Sequence, residues 1–136
     1  ATAGIPHGVL VAEELSLPFI YVRAKAKQHG KKNQIEGFFK RGQNAILVED
    51  LISSGQSSIE AASSLRNEGV NVKGIISIFT YNFDIASNNI KNENYLYHSL
   101  CDYNILLEQA TEQKYIKHED LTILKKWREN PSSWKK

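Results

Sequence analysis

The sequence contains no methionine, one cysteine and three prolines in 136 residues. With Cys101 alone, a disulfide within the chain is excluded, and such sparse cysteine is typical of proteins from a reducing compartment. No apolar run approaches the roughly 20 residues that a membrane-spanning helix requires, and no signal peptide is recognisable at the start. We therefore expect a cytoplasmic protein that has no membrane partner.

The residues that are present have the composition of a globular protein, 41% hydrophobic and 24% charged. At this length we expect a single domain over residues 1–136. The formal charge is only +2 and the pI is about 8.6. This small excess gives no indication of a nucleic-acid partner.

Apolar and amphipathic segments alternate along the chain, a pattern typical of an α/β fold with a parallel sheet flanked by helices. Strands are predicted over residues 17–24, 44–49, 70–81 and 95–100. Helices are predicted over residues 7–15, 83–89, 102–113 and 118–129, with a further helix that ends at Gly69. The continuous apolar run before Glu49 is typical of a parallel strand that is covered on both faces.

An acid pair, Glu49 and Asp50, follows this strand, and a loop rich in serine and glycine leads from it into the next helix. We expect Ser57 or Ser58 to cap that helix. Ligands of open parallel sheets bind at the carboxyl ends of the strands, and a helix N-terminus that is approached through small residues is suited to a phosphate. The pattern therefore predicts a phosphate site with two carboxylates at its edge.

Carboxylates repel phosphate, so their position next to such a site requires an explanation. They suit a ligand that also carries sugar hydroxyls or a bridging Mg²⁺, and a phosphorylated ribose meets both conditions. Solvated acids or helix caps would explain the pair alone equally well. Combined with the Ser/Gly loop, the binding interpretation is favoured.

A basic segment precedes the acid pair, in the stretch VRAKAKQHGKK. Its cationic residues are Arg23, Lys25, Lys27, His29, Lys31 and Lys32. A solvated surface loop, a nucleic-acid patch and a lid over a polyanion are all compatible with it. The segment lacks the interleaved aromatic residues of a single-strand binding platform, but the residues alone do not decide among the three.

Three stretches together resemble the motifs of the orotate phosphoribosyltransferases, a type I phosphoribosyltransferase family. They are ATAGIPHG, YVRAKAKQHGKKNQIEG and ILVEDLISSGQSS, and the similarity continues to LTILKKWRENPSSW near the C-terminus. The resemblance implies the type I phosphoribosyltransferase fold. It also implies transfer of ribose 5-phosphate from phosphoribosyl pyrophosphate to orotate, which yields orotidine 5′-phosphate and pyrophosphate in UMP synthesis, with Mg²⁺.

The resemblance also implies roles for individual residues. Glu49 and Asp50 would hold the ribose hydroxyls and the hydrated metal, and Ser53 would also contact orotate. The 5′-phosphate would be wrapped by Leu51, Ile52, Ser53, Ser54, Gly55, Gln56 and Ser57. Arg23, Lys25, Lys27 and His29 would reach the pyrophosphate in the site of a neighbouring subunit, which implies a homodimer. Lys27, assisted by His29 and Asp50, would be the principal catalytic group.

The chain departs from the family at several points. Ala24 stands where many relatives have a lysine, and Lys25 is the candidate replacement. Tyr81 stands near the position where some relatives use an arginine for orotate. An N-terminal hood and the first core strand are absent, so we expect the 136-residue chain to be unstable or inactive alone.

Two alternatives to this function remain. The first is a phosphoribosyltransferase that acts on a purine base, against which the basic segment argues. The second is a non-catalytic regulator that binds phosphoribosyl pyrophosphate and DNA. Such regulators tend to lose the catalytic loop and gain a DNA-binding extension, whereas this sequence retains the loop and shows no extension.

Overall fold

The computed structural model describes residues 2–23 and 34–133. The described helices are α1 (Ile5–Glu14), α2 (Gln56–Asn67), α3 (Asp84–Asn92), α4 (Tyr103–Glu112) and α5 (Asp120–Glu129), followed by a 3-10 turn at Pro131–Ser133. The described strands are β1 (Tyr21–Val22), β2 (Ile35–Glu36), β3 (Asn44–Ile52), β4 (Asn71–Thr80) and β5 (Leu96–Asp102). In this part of the chain, no helix is both long and apolar enough to cross a membrane.

The principal sheet is parallel, with the order β3-β4-β5. Its register places Glu49 beside Ser77, and Ser77 beside Ser99. Helices alternate with these strands, as expected when each parallel pair needs a crossover connection. The predicted α/β architecture is confirmed.

The predicted strand over residues 17–24 is wrong in its first half. Of residues 17–23, which the structure describes, only Tyr21 and Val22 are in a strand, and they pair antiparallel with β2. The reason is local: the N–H of Leu17 donates to the carbonyl of Ala12 at the end of α1, at 2.8 Å. Pro18 has no N–H to give to a sheet. Residues 17–20 therefore connect α1 to β1.

One face of the sheet carries most of the core. Leu47 of β3 and Ile75 of β4 are buried there, and Ile59, Ala62 and Leu65 of α2 belong to the same cluster. Each of the larger side chains contributes about 1.5–3 kcal/mol by leaving water. This burial fixes α2 against β3, which matters because α2 begins at the predicted phosphate site.

The opposite face of the sheet is largely exposed in the described residues. Ile46, Ile76, Ile78, Leu96 and Leu100 are all exposed, and the alternation of the strands places them on one side. The expectation that β3 is covered on both faces is therefore wrong for this part of the chain. Helix α2 packs on the face that carries Leu47, whereas on the other face Val48 is only half-buried and Ile46 remains 51% exposed.

Candidate active site

The acid pair lies inside β3, not after it. The strand continues through Asp50 and Leu51 to Ile52, because β4 runs beside it as far as the pair Ile52 and Thr80. The predicted boundary at Glu49 is therefore wrong. Consecutive side chains of a strand point to opposite faces, so Glu49 and Asp50 lie on opposite sides of β3.

Glu49 is buried and held by a serine of α2. Its side chain accepts a hydrogen bond from the hydroxyl of Ser58, with 2.8 Å between Oγ and Oε1. Ser58 therefore does not cap its helix, and neither does Ser57. The N-cap is Gly55, and no side chain caps the helix. The prediction of a serine cap is wrong because the hydroxyl of Ser58 is directed to the sheet.

Burial raises the pKa of Glu49 above its ordinary value of 4.5. The hydrogen bond from Ser58 lowers this pKa, and the neighbouring charge of Asp50 raises it. Burial is the largest of these effects, since a carboxylate loses hydration when it leaves water. Glu49 is thus a desolvated acid at the edge of the candidate site, with one oxygen fixed by a hydroxyl.

The segment between β3 and α2 forms a compact turn. Gly55 has a φ of +76°, a left-handed conformation that favours glycine. A Cβ at this position would lie 3.2 Å from Cγ1 of Ile90 on α3. From the same helix, the side-chain amide of Asn89 donates to the carbonyl of Ser54 at 3.1 Å. Helix α3 therefore holds the turn from behind.

Ser53 and Ser57 are exposed beside this turn, and Ser54 is half-buried. The Oγ of Ser54 accepts a hydrogen bond from the N–H of Gln56 at 3.4 Å. The N–H groups of the first turn of α2 have no partner within the helix, which makes its start favourable for an anion. This arrangement is compatible with the predicted phosphate site, which stays a prediction.

The N-terminal turn packs directly on β3. Gly4 is buried, and a Cβ at this position would collide with the carbonyl oxygen of Val48 and approach the Cα of Glu49 to 2.9 Å. Thr2 donates from Oγ1 to the carbonyl of Val22 at 3.4 Å. The first of the three motifs thus lies against the strand that carries the acid pair, as its assignment to the same site requires.

Arg23 is the described end of the basic segment. Its Nε lies 3.8 Å from Oε1 of Glu36. The backbone N–H of Arg23 donates to the carbonyl of Gln34, and the carbonyl of Arg23 accepts from the side-chain amide of Gln34. Lys25, Lys27 and His29 lie outside the described residues, as do Ala24, Lys31 and Lys32. Their predicted roles stay predictions.

An aromatic cluster follows the end of β4. It consists of Phe79, Tyr81, Phe83, Tyr103 and Trp127. The rings of Tyr81 and Phe83 are stacked with centroids 5.2 Å apart, and Trp127 meets both edge-on. Helix α5 therefore packs, through Trp127, beside the end of β4. Burial raises the pKa of Tyr103 in this cluster.

Sequence reasoning assigned Ser58 to the helix cap and missed its hydrogen bond to Glu49, and it missed Asn89 altogether. Both belong to helices, and each bonds to a residue that is distant in sequence. The aromatic cluster was missed as well, although the motif FTYNF carries three of its rings. Aromatic residues directly after a strand were the available signal.

Comparison with curated proteins finds relatives that align with the whole chain. No family model matches it. An orotate phosphoribosyltransferase from Cytophaga hutchinsonii is 47% identical over 136 residues, which are 100% of this chain and 65% of the relative. The chain is a homologue of the orotate phosphoribosyltransferases. The family resemblance that the three motifs carry is therefore confirmed.

Solved structures agree with this assignment. An orotate phosphoribosyltransferase from Aeropyrum pernix matches with a TM-score of 0.72 and 27% identity, over 80% of this chain and 60% of that one. A UMP synthase from Leishmania donovani, at 23% identity, shares the fold with a TM-score of 0.73 over 88% of this chain and 26% of that one. The predicted type I phosphoribosyltransferase fold is confirmed. The chain spans about 65% of the length of the curated relatives it matches.

Few residues of the candidate active site could bind a metal. Over residues 2–23 and 34–133, no group of three or more histidine, cysteine, aspartate or glutamate side chains is placed to hold an ion. Glu49 and Asp50 offer oxygen ligands, which Mg²⁺ prefers, but they point to opposite sides of β3. The arrangement does not fit an ion that is bound by protein alone. It fits a hydrated ion that is also coordinated by a substrate.

Proposed function

We propose that the chain is part of an orotate phosphoribosyltransferase, which transfers ribose 5-phosphate from phosphoribosyl pyrophosphate to orotate. The observation that carries the proposal is the agreement between the 47% identity to a named enzyme of this kind and the site geometry. That geometry combines a helix start suited to phosphate with a buried acid at its edge. The step would yield orotidine 5′-phosphate and pyrophosphate in UMP synthesis.

In this proposal, the described residues bind the sugar phosphate. The start of α2 and the hydroxyls of Ser53 and Ser57 would hold the 5′-phosphate by donating hydrogen bonds to it. Glu49 and Asp50 would accept hydrogen bonds from the ribose hydroxyls. When bound, Mg²⁺ would neutralise charge on the pyrophosphate, coordinated by the substrate and, through water, by these carboxylates.

The reaction builds positive charge on the ribose ring while the bond to pyrophosphate breaks. Catalysis therefore consists of stabilising the departing pyrophosphate and excluding water. We assign the first task to Lys27, assisted by His29, with Arg23 and Lys25 as further contacts. In our proposal these residues serve the neighbouring subunit of a homodimer, so each site needs two chains.

Recognition of the base is proposed for the region between the turn and the aromatic cluster. Ser53 lies next to Ile52, whose carbonyl accepts a hydrogen bond from the N–H of Tyr81 at 3.2 Å. The two strand ends are thus adjacent, and a planar ring could contact both. Cytoplasmic location remains a prediction from the cysteine content.

The test is an assay of orotate consumption, followed in the ultraviolet, on the complete gene product that carries this sequence. We expect loss of orotate that requires phosphoribosyl pyrophosphate and Mg²⁺. Adenine, hypoxanthine and guanine are assayed in parallel. Turnover of a purine in place of orotate would support the purine-type alternative, and binding of phosphoribosyl pyrophosphate without any turnover would support a regulator.

A further inference from the structure

We propose that Ser58 is a positioning residue for the sugar of phosphoribosyl pyrophosphate. By donating to Oε1 of Glu49, it would keep the other carboxylate oxygen directed at the ribose hydroxyls. The inference rests on the proposed function and extends it. The proposed substrate-binding residues are the acid pair and the turn that follows it. Ser58 would support them from a buried position, without contacting the substrate itself.

The hydrogen bond between Ser58 and Glu49 is held in place by burial and by the two elements that it joins. Ser58 is fully buried and Glu49 is 4% exposed, so water does not compete for their hydrogen bond. One partner lies on a strand in the sheet and the other lies in the first turn of α2. The bond therefore joins the strand that carries the acid to the helix whose N-terminus is the proposed phosphate site.

Among the described residues, no other hydroxyl next to Glu49 takes this role. Ser77 is its neighbour on β4 and is also fully buried. The Oγ of Ser77 donates instead to Oγ of Ser99, on the far side of β4, at 2.9 Å. Ser58 is thus the described hydroxyl that donates to Glu49, and its removal would leave a desolvated carboxylate free to rotate.

The consequence is specific to the sugar. The phosphate group depends on the N–H groups of α2 and on the exposed serines, which Ser58→Ala leaves in place. The ribose hydroxyls depend on the orientation of Glu49, which Ser58 determines. Loss of the Ser58 hydroxyl should therefore weaken phosphoribosyl pyrophosphate and spare inorganic phosphate.

The experiment compares calorimetric affinities of the complete gene product for phosphoribosyl pyrophosphate and for inorganic phosphate. For Ser58→Ala we expect the Kd of phosphoribosyl pyrophosphate to rise about tenfold, the equivalent of one hydrogen bond to a charged group. The Kd of phosphate should stay within about twofold, a difference well below that of one such bond. Ser63→Ala, a half-buried serine of the same helix, is the matched control and should change neither value.

A double-mutant cycle separates positioning from a general loss of structure. In a Glu49→Ala background, Ser58→Ala should cause no further loss of affinity for phosphoribosyl pyrophosphate. An equal loss for both ligands, a full additional loss in that background, or no loss at all would overturn the inference. If the unaltered protein fails to bind phosphoribosyl pyrophosphate, the proposed function falls with it, which distinguishes the two failures.

Discussion

Glu49 combines two roles that oppose each other at the scale of a single residue. Its side chain is desolvated under α2, which disfavours its charge, and the proposed contact with sugar hydroxyls uses that same charge. A carboxyl whose pKa is raised on folding binds its proton more tightly in the folded than in the unfolded chain. Stability then falls as the pH rises from 4.5 through the raised pKa. The site thus weakens the fold at neutral pH.

Glu49→Gln should remove this pH-dependent loss. The substitution preserves the shape of the side chain and an oxygen that accepts from Ser58, but it carries no charge. We expect the variant to be more stable than the unaltered protein at pH 7, with the difference vanishing below pH 4.5. Urea unfolding followed by tryptophan fluorescence at several pH values measures it. Glu68→Gln removes an exposed charge and should not reproduce the gain; if it does, the effect is one of net charge.

Lys27→Ala tests the residue to which the chemistry is assigned. The ammonium would meet negative charge that grows on pyrophosphate as the bond breaks, so its loss should act on the transition state more than on the bound substrate. We expect kcat to fall about 10²–10³-fold, with a much smaller change in the Kd of phosphoribosyl pyrophosphate. Lys32→Ala in the same segment is the control. Unchanged turnover in Lys27→Ala would remove this residue from the mechanism.

The sequence was sufficient to propose Glu49 and Asp50 as site residues, but not to predict the hydrogen bond from Ser58 to Glu49. A serine near a helix start has two common uses, as a cap and as a partner for a distant group, and both produce the same local sequence. The direction of Ser58 is decided by the packing of α2 on β3, which brings residues 49 and 58 together. Only the tertiary structure contains that information.

At the scale of elements, the turn between β3 and α2 depends on α3. Ile90 and Asn89 of α3 contact the turn at Gly55 and Ser54. The alternation of strands and helices was predictable, because apolar periodicity changes between them. The end of β3 was not, since two acids and a following serine usually indicate a loop. Pairing with β4 overrides that tendency through Ile52.

Gly55→Ala and Gly42→Ala form a matched pair at this scale. Both glycines have a positive φ, at +76° and +82°, so alanine should cost each about 1–2 kcal/mol of stability. A Cβ at Gly42 meets no atom within 4 Å, whereas one at Gly55 crowds Ile90. We expect both variants to lose stability and only Gly55→Ala to lose affinity for inorganic phosphate.

Calorimetric titration of phosphate and thermal unfolding give the two readouts for this pair. Equal phosphate affinity in both variants would show that the turn tolerates displacement. In that case the N-terminus of α2, and not the shape of the turn, would determine the anion site.

At the scale of the whole molecule, the sheet is buried on one face and, over residues 2–23 and 34–133, largely exposed on the other. The α2 side carries the core, while Leu96 and Leu100 on the opposite side are 78% and 68% exposed. Sequence alone did not predict which face of the sheet would be open, since the apolar runs in β3 and β4 appear the same from either face.

The exposed face leads to a prediction for the 136-residue chain studied by itself. Contiguous apolar surface of this kind favours association and binds hydrophobic dyes. We expect the chain to bind anilinonaphthalene sulfonate and to elute larger than a monomer. Leu96→Lys with Leu100→Lys should reduce both, because the charges interrupt the exposed apolar row without entering the core. Lys73→Glu, an exposed position on β4, is the control for altered charge. A monomeric chain with a sharp, reversible thermal transition and no dye binding would contradict the prediction, because it would show that the described core suffices without cover on the second face.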